Sequence, residues 1–188
     1  MSRQHILPPS GNDLLETVRK FYDIWGMPGV VGAIDGTHIA IEKPHVDNSE
    51  LFHCRKGFFS INVQSACGPD LLLHNVVARW PGSVNDSRIF QNSLLYAELE
   101  HNLPPRYHLL GDAAYPLKRF ILTPLSAPRD AHETAYNTSH SQTRKVIEQA
   151  FGVLKRRFGY LGKKVRTDLD TTKAIIVASM VMHNIRRC

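Results

Sequence analysis

Three carboxylates carry the chemistry this sequence could perform. Asp35 closes the apolar run Val30, Val31, Ala33, Ile34 and is followed at once by Gly36. Asp112 closes a second apolar stretch, Tyr107-His108-Leu109-Leu110-Gly111. Glu148, separated from Asp112 by 35 residues, stands in a helical pattern between Ile147 and Phe151. An acid at the end of a buried strand is costly, because desolvation disfavours its charged form, so a cation is expected opposite it. An isolated Asp-Gly is also what an ordinary turn looks like. The same ending on two apolar strands is harder to read that way. Two strand-end aspartates and a helix glutamate supply hard oxygen ligands of the kind that suit magnesium or manganese. Two such ions about 4 Å apart clamp the attacking and leaving oxygens of a phosphodiester. Without metal, three gathered carboxylates would raise one another's pKa values.

The elements that must position these acids follow from periodicity and punctuation. Asn12 is a candidate cap for a helix over 13–25, ended by Gly26-Met27-Pro28-Gly29. Asp35-Gly36 predicts a tight turn inside a hairpin over 30–42, with Pro44 stopping the return strand. Strands over 58–67 and 71–78, joined by Gly68-Pro69-Asp70, extend this to an antiparallel meander. Asn85 or Asp86 should cap a helix to about 98, with Ile89, Phe90, Leu94, Leu95 and Leu99 on its core side. A strand then ends at Asp112, and a short one follows at 120–122 between Pro116 and Pro124. Residues 126–137 are polar and aperiodic, which predicts a loop. Ser139 or Ser141 opens a long helix to about 158 or 160, with Val146, Ile147, Ala150, Phe151, Leu154 and Phe158 as its buried stripe. Gly152 sits one turn past Glu148, and either close helix packing or space kept for a ligand would explain it. A last helix over 171–186, apolar from Ala174 to Met182, is expected to pack inside.

The 188 residues suffice for one domain with a core that needs no disulfide or structural metal. Residues 1–29 read as an N-terminal helix and lead-in, and 30–188 as the domain that carries the acids. A formal charge of +6 favours an anionic partner, nucleic acid being the commonest. Cys54, Cys67 and Cys188 are odd in number and form no Cys-x-x-Cys pair, which argues against a disulfide framework or zinc ribbon and fits a reducing compartment. The first residues lack the apolar core of a signal peptide, and the longest apolar run, nine residues, is too short for a bilayer. A soluble intracellular protein with no membrane partner is the expectation.

Five blocks of the chain resemble the nuclease domain of the PIF/Harbinger transposases and the Harbinger transposase-derived nucleases of animals. They are Ala33-Ile34-Asp35-Gly36-Thr37-His38-Ile39, then 55–64 (Arg-Lys-Gly-Phe-Phe-Ser-Ile-Asn-Val-Gln), Gly82-Ser83-Val84-Asn85-Asp86-Ser87, Leu110-Gly111-Asp112-Ala113-Ala114-Tyr115-Pro116 and the helix 144–158. They occur in order across 30–187 and are specific as a set. The resemblance implies an α/β, ribonuclease H-like fold, a mixed sheet with an early antiparallel meander flanked by helices. It implies a two-metal Asp-Asp-Glu site for Mg2+ or Mn2+, with Asp35, Asp112 and Glu148 as first, second and third acids, and Asp86 as either a helix cap or a fourth acid. It also implies a DNA substrate, a separate Myb/SANT-like DNA-binding partner, possible self-association and a nuclear location alongside the cytoplasm.

His38 is expected to be structural, and His74, His108 and His183 form no metal-spaced pair. Lys155, Arg156 and Arg157 with Lys163, Lys164 and Arg166 make a basic cluster past Glu148. Such a run is ordinarily a solvated face, but beside a nuclease site it becomes a candidate for phosphate contact, as do Arg144, Lys56 and Arg55. Two functions remain open: a metal-dependent endonuclease with possible strand transfer, and a domesticated copy that binds DNA or a partner without turnover. RNA binding has no aromatic-and-basic motif to recommend it.

Overall fold

The computed structural model describes residues 11–185. At its centre lies β1, Val30–Ala40. On one side β2 (Ser60–Cys67) and β3 (Leu73–Pro81) continue the sheet antiparallel; on the other, β4 (His108–Leu110) and β5 (Ile121–Leu122) add in parallel, giving the order β3-β2-β1-β4-β5. The early meander is therefore present, inside a five-stranded mixed sheet flanked by helices.

The hairpin expected at Asp35-Gly36 is not. β1 runs straight through, Asp35 opposite Ser65 and Gly36 opposite Gln64. A two-residue turn with Asp-Gly at its centre needs positive φ at both positions, and neither residue adopts it. β2 offers ladder partners all the way from Ala33 to Ala40, which outweighs one local turn preference.

Among the described residues, five α-helices flank the sheet. The first, α1 (Asn12–Trp25), begins at Asn12 itself, with Gly11 before it, and ends at Gly26 in the left-handed region. The helix expected over 86–98 is two: α2 (Asp86–Gln91), capped by Asn85, and α3 (Leu94–Asn102), capped by Ser93. The break at Asn92-Ser93 resets the helical phase. Leu94, assigned to the core by a continuous period, is therefore 86% exposed, while Leu95 and Leu99 are buried. The loop expected over 126–137 is mostly helix. Asp130 accepts a bond from Glu133 N, and Glu133 reaches back to Arg129 N, so α4 (Ala131–Arg157) starts eight residues before Ser139. The sequence signal is Asp130 followed three residues later by Glu133, a helix-start pattern in a stretch without apolar periodicity. The last helix, α5 (Leu169–Ile185), buries Ile176 and Met180 but leaves Met182 and Ile185 exposed; the expected end at 186 lies outside the described residues. Among the described residues, no helix is long and apolar enough to cross a membrane.

Alternation sorts each strand between two cores. Ala33, Ile39, Ile61 and Val63 pack with Val146, Ile147, Ala150, Phe151 and Leu154 of α4 and with Ile176 and Met180 of α5. Phe21 of α1 joins this cluster. Ile34 and Ala66 face the other way, against Phe90 of α2 and Leu95 and Leu99 of α3. Every residue of β2 is buried, as a strand covered on both faces should be. Yet Ser60, Asn62 and Gln64 all stand on its α2 side, so that side of the core is partly polar.

Candidate active site

The first two acids meet where the sheet opens. β4 leaves β1 after the Ala33–Leu110 pair, and Val165 rejoins it only at Ile41, its N–H donating to the Ala40 carbonyl. Among the described residues no strand pairs with 34–39 on that side, and Asp35, Gly36, Thr37 and His38 are half-buried between buried Ile34 and Ile39. Asp112, two residues beyond the end of β4, lies near enough to Asp35 for its charge to act there, and Ala114 N donates to its Oδ1 at 2.9 Å. Asp35 and Asp112 thus stand two residues past the same cross-strand pair.

The expected cation opposite Asp35 is Arg144. Its Nη1 donates to Asp35 Oδ2 at 2.8 Å, while Nη2 reaches Glu148 Oε1 at 2.5 Å. One guanidinium, 18% exposed, therefore joins the first and third acids, reaching Asp35 across 109 residues of sequence and Glu148 across four. Burial pushes the Asp35 carboxyl above the usual range; Arg144 and the Gly36 N–H pull it back, and Asp112 pushes it up again. Glu148 stands at the margin of the α4 stripe with half its side chain exposed, more open than its apolar neighbours imply. A Cβ on Gly152 would meet nothing within 4 Å. Close packing is therefore not the reason for that glycine, and the space beside Glu148 is open.

Asp86 sits on the other face of β1. Asn85, not Asp86, caps α2, so the cap reading of Asp86 is replaced. Its carboxylate lies over Gly36, where a Cβ would come within 2.2 Å of Oδ1. Asn62 Nδ2 donates to Asp86 Oδ1, and Gln64 Nε2 donates both to the Asp86 carbonyl and to the Tyr115 hydroxyl. Burial raises the Asp86 carboxyl, Asn62 lowers it, and nearby Asp112 raises it further. This amide network was missed as a site feature. Its trace in the sequence is the pair Asn62 and Gln64 at strand spacing among apolar residues. His38 bonds Ser60 Oγ through Nδ1 at 2.9 Å and packs edge-on to Phe58, the structural role expected of it.

The basic residues divide. Lys155 turns inward, its Nζ donating to Thr37 Oγ1 at 2.7 Å and the His38 carbonyl at 3.1 Å. Arg157 turns toward α5 and donates to the His183 carbonyl, away from the acids. Arg156, Lys163, Lys164, Arg55 and Lys56 are exposed. Arg166 lies 3.6 Å from Glu42.

As a metal site the donor chemistry fits: the acids are carboxylates only, with neither Cys54 nor Cys67 among them. Among the described residues, though, no three acidic, imidazole or thiol side chains close on one point. Between Asp35 and Glu148 the positive charge is the Arg144 guanidinium. That arrangement suits two carboxylates kept near each other by an exchangeable cation.

Comparison with known proteins identifies the family. A model of the DDE superfamily endonucleases matches residues 34–184. The chain is 37% identical over 186 residues to a Rattus norvegicus protein named "Putative nuclease HARBI1", covering 97% of this chain and 53% of that one. The human protein of that name is 37% identical over 169 residues, covering 88% and 48%. An Arabidopsis thaliana protein, "Protein ALP1-like", is 32% identical over 197 residues, covering 96% and 48%. The chain spans about half the length of these curated relatives. No solved structure matches it significantly.

Proposed function

The chain belongs to the DDE superfamily endonucleases, and from that premise we propose that it cuts DNA phosphodiesters with a divalent metal held by Asp35, Asp112 and Glu148. The observation that carries this reading is the Arg144 fork: two carboxylates from distant parts of the chain converge on one cation beside a third. When bound, a pair of Mg2+ or Mn2+ ions would supply a lowered pKa for the attacking water and charge neutralisation at the leaving oxygen. The chain's own residues do the rest. β1 holds Asp35 within a strand, β4 delivers Asp112 just past its end, and α4 brings Glu148 across. Arg144 keeps the first and third acids from repelling each other, and, once released, presents two donors to a phosphate oxygen. Sheet order and acid placement support a ribonuclease H-like fold. We extend the proposal to a nuclear protein working with a Myb/SANT-like DNA-binding partner, to self-association, and to strand transfer by a freed 3′ hydroxyl as a second step. Asp86 acts from behind β1, holding Gly36 in place, rather than beside Glu148.

The second reading, a DNA-binding module without turnover, draws on the same fork, since a guanidinium seated between two acids also describes a site at rest. A plasmid-nicking assay with Mg2+ separates them. Nicking by the wild type, reduced on the order of a thousand-fold in Asp112→Asn because metal supplies several kcal/mol at the transition state, supports the enzyme. Equal salt-sensitive binding by both without nicking supports the module.

A further inference from the structure

The turn that carries Asp112 is exposed at its crown and anchored at its base. Ala113 and Ala114 are exposed, while Gly111 and Tyr115 on either side are buried. Two bonds close the turn, and both end on Asp112. Ala114 N donates to its Oδ1 at 2.9 Å, and Tyr115 N donates to its carbonyl at 3.1 Å. Gly111 N still bonds the Leu122 carbonyl, but Asp112 lies past the paired residues of β4. Strand pairing therefore does not aim the second acid; the turn does.

Tyr115 fastens that turn to the interior. Its ring lies on Gly111, where a Cβ would come within 2.9 Å of Cγ and Cδ2, and stands edge-on to Phe90 with centroids 5.7 Å apart. A phenylalanine would pack as well. The hydroxyl adds something else: it accepts from Gln64 Nε2 at 3.0 Å, and the same Nε2 donates to the Asp86 carbonyl at 2.9 Å. Gln64 pairs with Gly36 in the β1–β2 ladder, one residue along from Asp35. With Gln64 0% and Tyr115 4% exposed, this bond is shielded from water. One tyrosine thus joins the Asp112 carbonyl, through its N–H, to a glutamine beside the first acid, through its hydroxyl.

We infer that Tyr115 is a positioning residue for Asp112: the bond from Gln64 to its hydroxyl fixes the 112–115 turn relative to β1, so that the second acid is held beside the first before metal arrives. This rests on the nuclease reading for the metal and not for the turn.

The test compares Tyr115→Phe, which keeps the ring and removes the hydroxyl, with Tyr96→Phe, which does the same to another neighbour of Phe90 whose hydroxyl faces Glu100. Amide exchange of the full chain without metal reads the turn itself. In Tyr115→Phe the amides of residues 114 and 115 should exchange about fivefold faster or more, while Leu109, bonded to the Phe120 carbonyl in β4, keeps its rate. Titration calorimetry with Mn2+ reads the consequence. Tyr115→Phe should weaken Kd about three- to tenfold, the range that one net hydrogen bond supplies, and Tyr96→Phe should bind Mn2+ like the wild type. In a Gln64→Met background, where the donor is already gone, Tyr115→Phe should weaken binding by less than about twofold. Exchange at 114 and 115 that accelerates no more than at Leu109 overturns the inference and leaves Tyr115 a core aromatic. So does an Mn2+ affinity unchanged from that of a wild type that binds the ion. Should the wild type bind no Mn2+, the nuclease reading loses its metal, and the exchange rates alone decide whether Tyr115 holds the turn.

Discussion

The two faces of β1 treat charge in opposite ways. On the α4 face, Asp35 and Thr37 meet Arg144 and Lys155, long side chains reaching in from a helix. On the α2 face, Gly36 and His38 meet Asp86, Asn62 and Ser60, short groups locked in strands and a helix start. A flexible cation can leave a carboxylate at modest cost; a strand-borne amide cannot. One face is thus built to exchange partners and the other to hold position, and strand alternation keeps the two apart within four residues.

The sharpest way to break this contrast is to remove the exchangeable cation. Arg144→Gln leaves Asp35 without its ion pair and should cost about 2–3 kcal/mol, less than a fully buried pair because both side chains keep 18% of their surface in water. Added Mg2+ should then raise the Tm of the variant by more than it raises that of the wild type, since a divalent ion would meet no competitor for Asp35 and Glu148. Equal shifts in scanning calorimetry would mean that Arg144 is not exchanged by metal.

Two glycines sharpen the same contrast at smaller cost. Gly36→Ala drives a methyl into the Asp86 carboxylate and should destabilise by about 1–3 kcal/mol in urea unfolding. Gly152→Ala meets open space and should stabilise α4 by about 1 kcal/mol, as alanine does in an exposed helix. If the opening beside Glu148 receives DNA, that more stable variant should nick more slowly. Unchanged nicking would make the opening incidental.

Where the sequence was readable, a residue's partners lay close along the chain or its alternation was strong. The meander, the aspartate after β4 and the α4 stripe all follow from apolar periods and turn residues. Asp35-Gly36 misled because a local turn preference competes with a ladder that only a distant strand can supply. Leu94 misled because a period was carried across Asn92-Ser93, where the chain starts a new helix. The Arg144 fork could not be foreseen in full. Its link to Glu148 is one helical turn, but its link to Asp35 depends on how α4 lies on the sheet. The amide network behind Gly36 needed the register of β2 as well as its composition.

The smallest expected effect concerns one histidine on each side of the sheet, His140 buried and His74 half-buried. His140 of α4 is buried and gives Nε2–H to the Leu122 carbonyl, while His74 of β3 lies on the α3 side near Leu95 and Leu99. Burial lowers both imidazoles below the ordinary range. For His140 the Leu122 carbonyl opposes this, Arg144 adds to it and Asp112 opposes it; for His74 only Asp70 opposes it. The unfolded chain, with histidines near their ordinary value of about 6.5, therefore binds protons more readily than the folded one. Stability from these groups is complete above that value and is lost as the pH falls through the depressed folded values. Tm should accordingly drop between pH 7.5 and pH 5, and His140→Gln and His74→Gln should each flatten part of that drop. Because Arg144 and Asp112 bear on His140 alone, added Mg2+ should change the pH profile that depends on His140 and leave the His74 part as it was. A metal effect on both would show that the exchanging face and the holding face are not separate.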